Sequence, residues 1–282
     1  MNIDRLKVDP KSTFRLRHFA TDDTHGVSKH DAAKLLPKHV EKLAALHDLL
    51  YAEHKRALLI VLQGMDAAGK DGTIKHVMSG VNPQGCSVTS FKQPSVTELD
   101  HDFLWRIHAA VPPKGSIGIF NRSHYEDVLI ARVHELVPSA VWKKRYGQIN
   151  DFESMLSENN VHILKFFLHM SSKEQRKRFD ERMSDPCKNW KSSPADFKER
   201  EHWDDYQAAY EEAIGKCSTK EAPWFIIPSD HKWFRNFAVG EIIVRTMEAF
   251  KMRYPEGLPA EAGLRQGGST RAGGEGAKAK PA

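Results

Sequence analysis

The run Ala57-Leu58-Leu59-Ile60-Val61-Leu62-Gln63 is apolar at successive rather than alternate positions, so both of its faces must be covered. A strand of that kind belongs in the middle of a parallel sheet with helices on each side. Directly after it comes Gly64-Met65-Asp66-Ala67-Ala68-Gly69-Lys70, a G-x-x-x-x-G-K pattern, and then a helical pattern over Lys70 to Ser79. The glycines let the backbone wrap closely, exposed N–H groups and the helix dipole favour an anion, and the Lys70 ammonium can reach an outer phosphate. Gly64, Ala67, Ala68, Gly69, Lys70, Asp71 and Gly72 are therefore the expected phosphate-binding residues, in a phosphotransferase.

The rest of the chain fits around that unit. Further strands are expected at Ser87 to Phe91, Ser116 to Asn121, Val161 to His169 and Trp224 to Pro228, with helices over Thr97 to Val111, Ser123 to His134 and Ser139 to Glu158. Alternation of this kind predicts an α/β fold. Ser28 and Asp31 mark the start of a leading amphipathic helix that runs to about Lys55, with Pro37 as the place where it would break. Ser171 to Ile214 reads as a charged helical hairpin outside the sheet, and Trp233 to Arg253 as a last helix that packs back on the core. Residues 1–255 form one expected domain. The stretch 256–282 is Gly-, Ala-, Lys- and Glu-rich with almost no large apolar residue, and is expected to be a disordered tail.

Bulk properties narrow the function without choosing it. The net charge of +5 favours polyanionic partners in general. No run approaches the roughly 18 apolar residues of a membrane span, and the first thirty residues lack the apolar segment of a secretory signal, so the expected compartment is the cytoplasm and no membrane partner is expected. Cys86, Cys187 and Cys217 are far apart and read as packing residues. The basic residues between Lys165 and Arg200 read, by themselves, as a solvated helix face with i,i+4 pairs.

The loop departs from the usual pattern in an informative way. Asp71 stands where a Ser or Thr normally touches magnesium, Asp66 adds a carboxylate within the loop, and the Ser116 to Phe120 strand ends in Asn121-Arg122 instead of a metal-binding Asp. The expectation is that Asp66 and Asp71 hold magnesium, directly or through water, with Asp71 as a first-turn helix cap being the bland alternative.

The stretches GMDAAGKDG, SFKQPS with HDFLWRIH, IFNRSHYEDVL, DPCKNWKSSPADF and APWFIIPSDHKWFRN, in that order, resemble the polyphosphate kinase type 2 family over residues 10 to 255. The resemblance implies a thymidylate-kinase-like P-loop fold with a helical lid at 171–214. It also implies magnesium dependence, with manganese as a substitute, and phosphoryl transfer between inorganic polyphosphate and adenine nucleotides, with guanine nucleotides as further candidates. FNRSHYEDV is similar to the members that act on both AMP and ADP. Asp66, Lys70 and Arg122 become the catalytic residues, supported by Asn121, Glu126 and Asp127. Lys75, Arg178, Arg182, Lys188 and Lys191 become candidates for holding the polyanion under the lid. A homodimer or homotetramer is implied, and a nucleic-acid partner is not. Two alternatives stay open: an ATP-dependent nucleoside monophosphate kinase, and a non-catalytic P-loop switch that binds nucleotide or nucleic acid.

Overall fold

The computed structural model describes residues 1–10, 13–191 and 194–257. The elements in chain order are α1 (Lys29–Glu53), β1 (Ala57–Gln63), α2 (Lys70–Val77), β2 (Cys86–Ser90), α3 (Val96–Leu99), α4 (Trp105–Ala109) and β3 (Ile117–Asn121). They continue with α5 (Ile130–Val133), α6 (Ser139–Glu158), β4 (Val161–His169), α7 (Ser172–Ser184), α8 (Pro194–Glu199), α9 (Trp203–Cys217), β5 (Trp224–Pro228) and α10 (Lys232–Ala249). The five strands lie in the order β2-β3-β1-β4-β5, and every pair is parallel.

All seven residues of β1 are buried, as its unbroken apolar run demands. Leu58, Ile60 and Leu62 share one core with residues of α1, α2 and α10, while Ala57, Leu59 and Val61 share the other with α6 and α9. From β1 the chain first builds the sheet toward β3 and β2, then crosses back to β4 and β5. The strand order therefore reverses at β1, and a crevice opens beyond the carboxyl ends of β1 and β3, where ligands of such sheets bind. The pairing of Leu62 with Asn121 brings the end of β3 level with the end of β1.

Several expectations need correction. The helix expected over Thr97 to Val111 is two short pieces, α3 and α4. A capping box between Ser95 and Glu98 starts the first, and the Asp102 carboxylate accepts from the Leu104 amide at 2.9 Å before the second, so local side-chain bonding divides the segment. Ser123 to His134 is a 3-10 turn over His124–Val128 followed by α5, broken at Leu129. Pro37 does not interrupt α1, which is capped by the Ser28 hydroxyl accepting from the Asp31 amide at 3.1 Å.

The helical hairpin expected over Ser171 to Ile214 does not stand outside the sheet along its whole length. Tyr206, Ala209, Tyr210, Ala213 and Ile214 of α9 are buried against the sheet, so this helix is a core layer, not one arm of a free hairpin. Cys187 is exposed and does not pack; Cys217 is buried, which pushes its thiol up to about 12, and all three cysteines are free. Among the described residues no helix is long and apolar enough to cross a membrane. The expected tail, from residue 258 on, lies outside the described residues.

Candidate active site

The loop leaves β1 at Gly64, whose φ of 153° brings its backbone against β4: a Cβ there would lie 2.9 Å from the Leu168 carbonyl oxygen. Ala67 takes a left-handed turn with φ 62°, and Gly69, at φ 104°, caps α2. The loop then presents the amides at the start of α2 to the crevice. Lys70 curls back over it, its ammonium donating to the Gly64 carbonyl at 2.6 Å and the Met65 carbonyl at 3.4 Å. Burial and the neighbouring Arg122 lower its pKa, against the opposing pull of Asp66, Glu126 and Asp71.

Arg122 arrives from the end of β3. Its amide continues the ladder to the Leu62 carbonyl at 3.1 Å, but its φ of 65° turns the chain so that the guanidinium meets the Asp66 carboxylate at 2.7 Å. A left-handed arginine is a strained backbone held by its surroundings, a feature concentrated at functional sites. Burial opposes the charge on Arg122, yet Glu126 and Asp66 outweigh it and hold the guanidinium above its ordinary pKa. The Asn121 amide nitrogen donates to the Asp71 carboxylate at 2.8 Å. The ends of β1 and β3 thus gather Asp66, Lys70, Asp71, Asn121 and Arg122 into one place.

Two chambers share Asp66, Arg122 and Asp196 in their walls. The larger, about 650 Å³, lies against Lys70 and Asp71 and is bordered by Lys92, Arg182 and Lys188. The smaller, about 200 Å³, is lined by Glu126, Glu199, Arg200, Tyr206 and Tyr210. Tyr206 donates to Glu199 at 2.9 Å; burial and that carboxylate push its phenol well up, so it stays neutral. Arg200 donates to the Ser172 carbonyl and the Gln175 side-chain oxygen at 2.9 and 2.8 Å, tying the turn before α9 to the start of α7.

Some expected site residues fall elsewhere. Arg178 is only 5% exposed and spends all five donors on the protein: Glu174, the carbonyls of Ala67 and Ala68 at 3.0 Å each, and the carbonyls of Ser229 and Asp230. It braces the loop from behind and lines neither of the two chambers. Asp127 points away from both chambers to Arg145, at 3.2 Å, and burial raises its pKa. Lys75 is exposed on α2 and lines neither chamber. Arg182 pairs with Asp196 at 3.6 Å and Lys188 with Asp185, both at the larger chamber's rim; the Lys191 side chain lies outside the described residues.

Comparison with known protein families matches residues 26–255 to Polyphosphate kinase 2 (PPK2). The chain belongs to the polyphosphate kinase 2 family. An "AMP/ADP-polyphosphate phosphotransferase" of Meiothermus ruber is 49% identical over 254 residues, covering 89% of this chain and 95% of its own. An "ADP-polyphosphate phosphotransferase" of Rhodopseudomonas palustris is 51% identical over 245 residues, 83% and 85% of the two chains. The crystal structure of Polyphosphate Kinase 2 from Arthrobacter aurescens TC1 superposes with a TM-score of 0.89 at 41% identity, covering 92% of this chain and 94% of that one.

The candidate site of this polyphosphate kinase 2 family member also contains residues that the sequence did not single out. Gln63, fully buried at the end of β1, donates to the Ser123 hydroxyl at 3.2 Å and accepts from Tyr210 at 3.4 Å, which ties the loop's root to the segment after Arg122. A polar residue closing an otherwise apolar strand was its visible signal. Tyr206 and Tyr210, four apart on one face of α9, gave a signal only once that face was known to line the chamber.

Proposed function

We propose that the protein transfers phosphoryl groups reversibly between inorganic polyphosphate and adenine nucleotides, with AMP and ADP both as acceptors. The observation that carries this reading is the convergence of Lys70 and Arg122 on a phosphate loop, in a chain whose relatives of similar length are polyphosphate phosphotransferases. The larger chamber suits the polymer. Five cations, Lys70, Lys92, Arg122, Arg182 and Lys188, border it with only three carboxylates, Asp66, Asp71 and Asp196. The smaller chamber has the opposite balance, with Arg122 and Arg200 against Asp66, Glu126, Asp196 and Glu199, and suits the uncharged parts of a nucleotide.

The chemistry asks little of a general base. The acceptor oxygen belongs to a phosphate whose second pKa is about 6, so it is already ionised near neutral pH. What has to be overcome is the repulsion of two polyanions, and positioning can contribute ~7–11 kcal/mol. The loop amides and Lys70 hold the terminal phosphoryl group. Arg122, at the junction of the chambers, faces the group in transit from either side, and Asp66 fixes its guanidinium. One phosphoanhydride bond breaks as another forms, so the direction follows the concentrations of the reactants. Closure of the short lid over the junction excludes water, the competing acceptor.

Magnesium belongs to the same proposal. Among the described residues no group of three or more His, Cys, Asp or Glu side chains could hold a metal ion. Asp66 and Asp71, set in the loop with Asn121 beside the second, supply the one or two carboxylates that this ion takes when phosphate oxygens and water complete its shell. When bound, it would neutralise charge on the phosphoryl oxygens; manganese would serve in its place. A homodimer or homotetramer is also proposed, to be read by sedimentation.

The test is incubation of the protein with ADP, polyphosphate and magnesium without any other donor, with parallel arms for AMP, GMP and GDP. ATP from ADP, and ADP then ATP from AMP, are expected. A protein that forms neither, but phosphorylates nucleoside monophosphates from ATP, would be a nucleoside monophosphate kinase instead.

A further inference from the structure

Behind the loop, on the side away from the crevice, sits a second arginine. Arg235 belongs to α10 and is 4% exposed. One guanidinium nitrogen donates to the Ala68 carbonyl at 2.9 Å, and the other two to the Asn236 side-chain oxygen at 3.2 and 2.9 Å. The group lies flush with the loop: a Cβ on Gly69 would meet its Nη1 at 1.8 Å, and one on Gly72 its Nη2 at 3.3 Å. Gly69 is required here by close approach as well as by its φ.

The loop's outward oxygens are all engaged. The Asp66 carbonyl accepts from Gln175 at 2.9 Å, the Ala67 carbonyl from Arg178, and the Ala68 carbonyl from Arg178 and Arg235. In a trans peptide the C=O and the following N–H point to opposite sides. Fixing the Ala68 oxygen toward Arg235 therefore aims the Gly69 N–H into the cradle.

The charge is as telling as the geometry. Arg178 has Glu174 as an ion-pair partner at 2.8 Å, whereas among the described residues no carboxylate pairs with Arg235. Burial, together with the charge of Arg178, lowers the pKa of Arg235. A buried cation without a counter-charge is costly, and an apolar residue of similar shape is usually no worse for folding. Something other than stability retains it.

We propose that Arg235 is a positioning residue of the phosphate loop, and that its buried charge is balanced by the phosphate bound on the far side of the Gly69 peptide. The inference rests on the reading that this cradle takes phosphoryl groups. Tripolyphosphate is the probe, because it engages the cradle without a nucleotide.

Wild type, Arg235→Met and Arg235→Lys are compared by calorimetric binding of tripolyphosphate, by melting with and without it, and by steady-state ATP formation. Arg235→Met is expected to melt within about 5 °C of wild type when unliganded. Its tripolyphosphate affinity should fall about ten- to a hundredfold, the scale of one charge-assisted contact, and most of the ligand-induced rise in melting temperature should vanish. In turnover, KM for polyphosphate rises and kcat falls, with KM for ADP little changed. Arg235→Lys, which returns the charge to nearly the same place, recovers part of the affinity.

Affinity within twofold of wild type in a folded Arg235→Met protein overturns the proposal, as does a lysine variant that binds no better than the methionine one. A variant that loses tens of degrees of melting temperature yet keeps its ligand-induced shift makes Arg235 purely structural and also overturns it. Should neither variant fold, Gln175→Leu, which frees the Asp66 carbonyl of the same outward row, carries the test: affinity within twofold of wild type, or a loss of tens of degrees with the ligand-induced shift kept, overturns the proposal. Wild type that binds tripolyphosphate but forms no ATP defeats the proposed function and leaves the Arg235 comparison standing.

Discussion

Lys165→Met is expected to remove about 3–5 kcal/mol of stability, the scale of breaking a buried ion pair from one side. Lys165 is fully buried in the middle of β4, and its ammonium donates to the Glu153 carboxylate, to the Tyr125 hydroxyl at 2.9 Å and to the Cys217 carbonyl at 2.6 Å. The Glu153 side chain is 2% exposed, so solvent screening does not soften the interaction. Methionine keeps the length of the stem and deletes the charge. What it leaves is a carboxylate still bonded to His124 at 3.1 Å and Tyr125 at 2.9 Å but with no cation, and a carbonyl with no donor. The double variant Lys165→Met/Glu153→Gln removes both charges and keeps an acceptor for His124 and Tyr125, so it should regain about 2 kcal/mol over the single variant. Urea unfolding, read as a shift in midpoint at unchanged slope, measures both quantities. A single-variant loss under about 1 kcal/mol, or a double variant no more stable than the single, would refute the reasoning. Because Ser123, His124 and Tyr125 follow directly on Arg122, turnover in the single variant should fall before the protein unfolds.

The same carboxylate sets an acid limit. Burial favours the neutral form of Glu153, but Lys165 and His124 overcome it and hold the pKa below the ordinary 4.5, so the stabilisation is full above about that pH and is lost as the pH falls through the folded value. Urea midpoints measured from pH 7 downward should decline below about pH 4.5, and less steeply for Lys165→Met. Lys70→Ala and Arg122→Ala should each lose about 10³–10⁵ in kcat with circular dichroism spectra unchanged, by analogy with arginine fingers of other P-loop enzymes. Asp71→Asn should raise the magnesium concentration needed for half-maximal turnover several-fold, read from a magnesium titration at saturating substrates. Gly69→Ala should abolish tripolyphosphate binding, since its Cβ would occupy the space of Arg235 Nη1.

The strands were legible because burial on both faces leaves a composition that little else shares. β1, β4 and β5 fall on their expected residues, and β2 is displaced by one, since Phe91 is apolar for the sake of the core beyond the strand's end. Glycines, lysine and the doubled aspartates likewise announced the loop, because anion binding there depends on backbone freedom and local charge. Arg178 shows the limit. The basic segment alone read as a solvated helix face, and the resemblance made Arg178 a contact for a polyanion, but the sequence does not say which oxygens accept from it; here they belong to Glu174, Ser229, Asp230 and the loop's own carbonyls. Arg235 stood within a recognised stretch, WFRN, and carried no signal at all, since its role depends on how α10 packs beneath α2. The hairpin outside the sheet was drawn too long for a related reason: the acids and bases along α9 hid an apolar face of Tyr206, Ala209, Tyr210, Ala213 and Ile214.

The resting contact of Lys70 with the oxygens of Gly64 and Met65 bears on how fast the site can fill. An ammonium surrounded by water must shed a tightly held shell before it can touch a ligand. Here the main chain already offers oxygen partners, so on the proposed function an arriving polymer end would trade places with Gly64 and Met65 one contact at a time, the side chain moving by rotation about its own stem. Docking would then spare the lysine its own dehydration step, and the lysine would return to the same two oxygens each time a shortened chain departs.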